Sequence, residues 1–206
     1  MAGGYGTDAL EMVAVATAAV TASSPVEICN IALLMIGAEA ITDLGDSTDR
    51  ARVCNAMWQT VLEDEITLHR WKCCRKRAEL ALEADAPAFG WSYQFALPTD
   101  CLRVLDMYPA TTEHEIEDGK LLTDNSSTKI VYLYRNETVA KYSSGLKATL
   151  AARMAANIAM PLTKKKAVVD AAWSAYWSVV SQAIAADGQQ GSPEVIEDRT
   201  LVDARL

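Results

Sequence analysis

The chain has 206 residues, half of them apolar, so it can bury a substantial core and is not a short disordered peptide. Its 19 Lys and Arg stand against 27 Asp and Glu, and the formal net charge of -8 argues against a protein whose main task is to grip nucleic-acid phosphates. Five cysteines, with no C-x-x-C pair, favour neither a disulfide framework nor a zinc site and indicate folding in a reducing cytoplasm.

Residues 1–23 contain an Ala- and Val-rich run that superficially resembles a signal peptide. No basic region precedes it, Asp8 and Glu11 stand where Lys or Arg would be expected, and the run is too short to span a bilayer. We therefore expect no export and no membrane segment. The prediction for residues 1–23 is an N-terminal arm, helical or flexible, that docks on a neighbour, with simple disorder as the alternative.

Two helices are predicted within residues 24–78. Ser24-Pro25-Val26-Glu27 has the capping residue, the early proline and the acidic residue of a helix start, and Gly37 supplies the stop. A second apolar period runs from residue 46 or 47 to about residue 69. Its predicted core stripe comprises Val53, Met57, Val61 and Leu68 beside Ala56 and Trp58.

Residues 79–142 change to the alternating pattern of strands, with Pro and Gly interrupting the helical period. Asp118-Gly119 predicts a two-residue hairpin between residues 114–117 and 120–123, because both positions of a type I′ turn need positive φ. In residues 129–134, alternation places Ile130, Tyr132 and Tyr134 on one face and Val131 and Leu133 on the other.

Residues 143–188 return to the helical period. A third helix is predicted from Ser143 or Ser144 to Pro161, and a fourth from Thr163 to Asp187-Gly188. The core residues expected for them are Leu146, Leu150, Met154 and Ile158, then Val169, Trp173, Tyr176, Val180 and Ile184. The predicted fold is therefore α+β and mainly α: a four-helix bundle with an inserted antiparallel β domain, an N-terminal arm and a C-terminal arm at residues 189–206.

A search for chemistry yields no catalytic, cofactor-binding or metal site. His69 and His114 lie in different predicted elements, and the acidic triplet Glu63, Asp64 and Glu65 points in three directions on a helix, which favours a solvated or intersubunit charged face. The basic run His69–Arg77 is predicted to be a helix C-terminus whose cations complement the dipole and pair with a neighbour's carboxylates. Its candidate contact residues are Arg70, Lys72, Arg75, Lys76 and Arg77.

Four stretches carry a resemblance to a known family. They are residues 27–37, residues 69–80, the string 91–104 with its pattern Tyr-x-x-x-Leu-Pro-x-Asp-Cys-Leu-Arg-Val, and the closing Asp203-Ala204-Arg205. In these stretches and in element order the chain resembles the tail tubular protein A-like head-to-tail adaptors of short-tailed bacteriophages.

That resemblance implies a non-enzymatic virion protein at the head–tail interface, made in the host cytoplasm. It implies a ring of twelve copies between the portal protein ring and a tail nozzle similar to tail tubular protein B, with DNA passing through the lumen without specific binding. A ring subunit needs segments that order only on docking, so we expect the C-terminal arm to anchor on the portal or the next subunit. The candidate docking residues are Val195, Ile196, Leu201, Val202 and Arg205.

Two other functions remain open. A virion-associated peptidoglycan hydrolase would draw on the plentiful carboxylates, for which no convergent pair can be assigned. A small nucleic-acid-binding regulatory protein would use Arg70 to Arg77 with Trp71 available to stack, and it predicts salt-dependent DNA binding.

Overall fold

The structure is a computed structural model and describes residues 8–110 and 113–190. Helices at both ends of this part flank a run of strands, which confirms the predicted α+β class. The helices are α1 Ala9–Thr17, α2 Pro25–Met35, α3 Asp49–Leu68, α4 Ser144–Thr163 and α5 Lys166–Gly188, and the strands are β1 Arg75–Glu79, β2 Tyr93–Ala96, β3 Cys101–Tyr108, β4 His114–Glu117, β5 Lys120–Thr123 and β6 Lys129–Tyr134. Among the described residues, none of these helices is both long and apolar enough to cross a bilayer.

Helix α4 is the centre of the helical part and contacts α1, α2, α3 and α5. The four predicted core residues of this helix are all buried, and alanines cover much of its remaining surface. Small side chains let neighbouring helices approach closely: a Cβ on Gly145 would lie 3.0 Å from the Cβ of Ala183 in α5. The bundle therefore depends on small residues as much as on large apolar ones.

The N-terminal segment differs from the predicted arm. Asp8 caps α1, and Met12 and Ala16 are buried against the other helices of the same chain. The described part thus has five helices where four were predicted. Short Ala-rich helices are hard to recognise from sequence because their apolar period is weak and packing provides most of their stability.

Several details of the helices also correct the predictions. In α3, Met57 and Leu68 are exposed, and the buried face instead contains Cys54, Leu62 and Ile66 beside the correctly predicted Val61 and Trp58. The predicted buried face of α3 is therefore rotated about the helix axis relative to the observed one. In α5, Ile184 is likewise partly exposed, whereas Ala183 beside it is buried.

The junction of α4 and α5 also differs from prediction. Pro161 lies inside the last turn of α4, and the helix ends at Lys164, which adopts the left-handed conformation with φ 54°. Thr163 does not cap α5, whose N-cap residue is Lys165: the Thr163 hydroxyl donates to the Ala159 carbonyl and accepts from the Lys165 amide. Proline has no N–H to donate to the carbonyl four residues before it, so the last turn of α4 lacks one backbone bond and the helix ends two residues later.

The start and stop of α2 are confirmed. The Ser24 hydroxyl accepts from the Glu27 amide, and Gly37 has φ 71°. The Glu27 carboxylate, however, accepts from the amide of Ser23 at 2.7 Å, one residue before the cap.

The strands form two antiparallel sheets, each with three strands. The first sheet has the order β1-β6-β3 and the second has the order β2-β5-β4. Asp118 and Gly119 both have positive φ, so the predicted turn between β4 and β5 is confirmed. The two sheets share a small core of Leu80, Phe95, Met107, Leu121, Ile130 and Tyr132.

The two faces of β6 alternate as predicted. Ile130 and Tyr132 lie in the core between the sheets, whereas Leu133 belongs to the core of the helical part. In β3, irregularities after Cys101 and Val104 shift the register, and Leu102 and Leu105 pack against the helical core. The first sheet is thus covered on one face by the second sheet and on part of the other face by the helices.

Candidate interaction surface

The basic run was predicted to end a helix, and this prediction is wrong. The run instead leads into a strand of the first sheet. Helix α3 stops at Leu68, residues 72–74 form a single 3-10 turn, and Arg75–Glu79 is strand β1, which pairs with β6. Sequence alone could not show this because the paired residues of β6 are 50 to 58 positions away in the chain.

Trp71 anchors this segment between the helices and the sheet. Its indole is fully buried, its Nε1 donates to the Glu65 carbonyl at 2.9 Å, and its ring meets His69 edge to face. Burial of His69 in this contact lowers its pKa, and the nearby Asp187 carboxylate opposes that effect. Trp71 is therefore a packing residue and is not available to stack on a nucleic-acid base.

The end of α5 lies against the basic run. The Asp187 carboxylate accepts from the Lys72 amide at 3.4 Å, and the Lys72 ammonium donates to the Gly188 carbonyl at 3.2 Å. A cation at a helix C-terminus complements the negative end of the helix dipole. A cation of the basic run therefore does complement a helix dipole, as predicted. The cation is Lys72, and the helix is α5 and not α3.

The other candidate cations divide into two groups. Lys76 is engaged: its ammonium lies 2.6 Å from the Asp100 carboxylate and over the Tyr134 ring. Arg70, Arg75 and Arg77 have no carboxylate partner within the described residues, although Arg75 Nε donates to the Arg70 carbonyl.

Two of these arginines border an open depression that we call the sheet groove. It is lined by Arg75, Arg77, Asp106, Tyr108 and Val131, together with Lys76, and has a volume of about 360 Å³. Arg77 lies opposite Val131 in the strand register, and Val131 lies opposite Asp106, so these side chains share one face of the first sheet. A second cavity of about 400 Å³ adjoins it along Glu79 and Lys129.

The most specific string of the resemblance, residues 91–104, lies where the sheets meet the helices. The Asp100 carboxylate accepts from Lys76 and from the Tyr132 hydroxyl, and its carbonyl accepts from the Arg135 amide. Arg103 donates to the Thr67 carbonyl at the end of α3. The string therefore joins the β part to the helical part.

The acidic triplet of α3 diverges as its spacing predicts, but one member is not solvated. Glu63 pairs with Arg135 at 2.7 Å and Asp64 is exposed, whereas Glu65 is fully buried. The expectation of a solvated or intersubunit charged face is wrong for Glu65.

Glu65 lies among aromatic and cationic groups of α4 and α5. Its carboxylate accepts from the Tyr176 hydroxyl at 3.1 Å, and the Arg153 guanidinium lies over the Tyr176 and Trp173 rings. Burial raises the pKa of Glu65 to about 7, which the Tyr176 hydroxyl and Arg153 only partly offset. Glu65 and Tyr176 are buried, whereas Arg153 and Trp173 are partly exposed.

The described cysteines and histidines form no metal-binding cluster. Cys73 and Cys74 have their sulfur atoms 3.9 Å apart, and the hydrogen bond from Cys74 lowers the pKa of Cys73 to about 6. His114 is an exposed residue of β4.

One exposed aromatic group lies on the bundle surface. Trp177 of α5 is 61% exposed and adjoins Trp173 at 6.5 Å between ring centroids. Tryptophan is enriched among the few residues that carry most of the binding energy at protein interfaces.

The candidate docking residues of the C-terminal arm, Val195, Ile196, Leu201, Val202 and Arg205, lie outside the described residues.

A scan of the sequence against known protein families and a search of curated proteins each find no match.

Proposed function

We propose that the chain is a structural virion protein, a head-to-tail adaptor that assembles as a ring between the portal and the tail nozzle. The observation that carries this proposal is Trp177 of α5, whose side chain is 61% exposed and adjoins Trp173. A ring of identical copies needs on every subunit a surface that contacts the next copy, and tryptophan is enriched at the centre of such contacts.

Two further features support the proposal. The strings that carry the family resemblance fold into the joint between helices and sheets, so residues 69–80 and 91–104 hold the two parts in a fixed relation. Ring subunits need this rigidity, because a small change in subunit shape accumulates around the ring and prevents closure.

The acidic triplet of α3 gives no support to a hydrolase. Glu63 is held by Arg135, and Glu65 is enclosed between helices. Retaining and inverting glycosidases both need two carboxyl groups that face one substrate.

Co-sedimentation of the chain with the portal ring of its own phage tests the proposal. We expect the wild-type chain to pellet with the portal, and Trp177→Ser to lose stable rings because the aromatic contact between copies is removed. Replacing Ile196 and Leu201 by Asp, or deleting residues 189–206, should weaken attachment to the portal if the arm docks there.

Exposed Met160→Ser on α4 is the control for Trp177→Ser, because it also removes a half-exposed apolar side chain from the bundle surface. A wild-type chain that stays in the supernatant at every portal concentration would refute the adaptor function. Peptidoglycan clearing on a zymogram would favour the hydrolase instead.

A further inference from the structure

The open sheet groove and the end of α5 together suggest an occupant for the groove. The 46% exposed Tyr108 ring is its accessible apolar surface, Val131 lines it but is almost fully buried, and Arg75 and Arg77 are its cations. Asp106 offsets part of this charge and leaves the groove net positive. Such a groove fits a peptide in which acidic and apolar side chains are interleaved.

The chain itself contains such a peptide. Residues 191–198 carry Glu194, Glu197 and Asp198 and no Lys or Arg, and Val195 and Ile196 lie between the carboxylates. Both the charge and the apolar content complement the groove.

The described chain ends near the start of the basic run. The Gly188 carbonyl accepts from the Lys72 ammonium, and Lys72 precedes the groove residue Arg75 by three positions. Gln189 and Gln190 form a turn, and the four residues from Gln190 to Glu194 span up to about 14 Å when extended. The acidic stretch therefore follows directly on a chain end that is held at the basic run.

We propose that the acidic stretch Glu194–Asp198 binds in the sheet groove of its own chain, with its carboxylates on Arg75 and Arg77 and its apolar side chains on the Tyr108 ring. The groove is then an intramolecular docking surface that holds the C-terminal segment on the isolated subunit. This contact is independent of the adaptor function and can be tested without a portal.

The test is NMR of the full-length chain, labelled with ¹⁵N and with ¹³C methyl groups, at about 20 mM NaCl, where charge pairs are little screened. We expect heteronuclear NOE values for residues 194–198 close to those of the helices. Cross-peaks should join the Ile196 methyl groups to the Tyr108 ring. Both should be lost at about 0.5 M NaCl.

Two variants remove the contact from opposite sides. Arg75→Glu with Arg77→Glu reverses the groove, and Glu194→Lys with Glu197→Lys reverses the segment without altering any described residue. Each pair alone should abolish the Ile196–Tyr108 cross-peaks, and the four substitutions together should restore them. The matched control is Lys164→Glu with Lys165→Glu, which makes the same change in charge at the opposite end of α5 and should leave the cross-peaks unchanged.

Three outcomes would overturn the proposal. The first is a wild-type segment with the NOE values of an unstructured peptide at low salt. The second is a contact that disappears on tenfold dilution, because that would assign the groove to a second copy. The third is groove resonances that shift with an added DNA duplex while the segment stays unstructured, because that would assign the groove to nucleic acid.

Discussion

The helical bundle and the first sheet differ in the solvent exposure of their charged side chains. The bundle encloses Glu65 completely and surrounds it with Tyr176 and Arg153. The sheet leaves Arg75 and Arg77 at the surface, without a carboxylate partner in the described part of the chain. Enclosed charge influences stability, whereas open charge is available for binding, so the two regions should respond differently to substitution.

The largest effect is expected at the joint between the two regions. Trp71→Ala removes a fully buried indole and its bond to the Glu65 carbonyl, and should lower the free energy of unfolding by about 3–5 kcal/mol. Urea unfolding followed by circular dichroism measures it. Trp177→Ala is the control, with an expected loss of about 0.5 kcal/mol because its side chain is exposed. A loss below about 1.5 kcal/mol for Trp71→Ala would show that the joint is not tightly packed.

The next effect depends on pH and arises in the bundle. The folded pKa of Glu65, about 7, lies above the unfolded value near 4.3, so its contribution to stability is fully present below about pH 4 and is lost as the pH rises through about 7. Glu65→Gln keeps the neutral form. Relative to wild type, this variant should have similar stability at about pH 4 and be more stable by up to about 3 kcal/mol at about pH 8.

Glu63→Gln is the matched control for that experiment. Glu63 forms a partly exposed ion pair with Arg135, so its substitution should cost less than about 1 kcal/mol at neutral pH. If Glu65→Gln were the less stable protein at pH 8, the carboxylate would be stabilised by Arg153 more than it is penalised by burial.

A smaller effect is expected where the sheet meets the string 91–104. Asp100→Ala removes the acceptor of the exposed Lys76 and of the buried Tyr132 and should cost about 1–2 kcal/mol. Thermal unfolding measures the loss. Asp124→Ala, which removes a surface acceptor of Ser92, serves for comparison. An equal loss for both would show that Asp100 has no special part in the joint.

The smallest effect on stability is expected in the groove. Arg77→Glu alters an exposed side chain with no ion-pair partner among the described residues, so the free energy of unfolding should change by about 0.5 kcal/mol or less. Differential scanning calorimetry is sensitive enough to detect a larger change. A loss above about 2 kcal/mol would mean that Arg77 supports the fold and would weaken its assignment as a binding residue.

Features set by local chemistry could be predicted from the sequence. The Ser24 cap, the Asp118-Gly119 turn and the alternation of β6 each depend on residues within a few positions of one another. They follow from capping, positive φ and the period of a strand, and the structure confirms them.

Features set by distant contacts could not be predicted. Strand β1 forms only because β6 pairs with it, and Glu65 is buried because Tyr176, 111 residues away, provides its hydrogen bond. The sheet groove could not be predicted either. Its arginines stand out in the sequence as part of a basic run, but Tyr108 and Val131 lie beside them only in the folded sheet. Only part of the candidate surface was therefore visible from the sequence.

Native mass spectrometry of the chain, alone and mixed with the portal ring of its own phage, tests the adaptor function most directly. We predict a complex that contains as many copies of this chain as the portal has subunits. A chain that remains monomeric and does not bind the portal under the same conditions would contradict the proposed function.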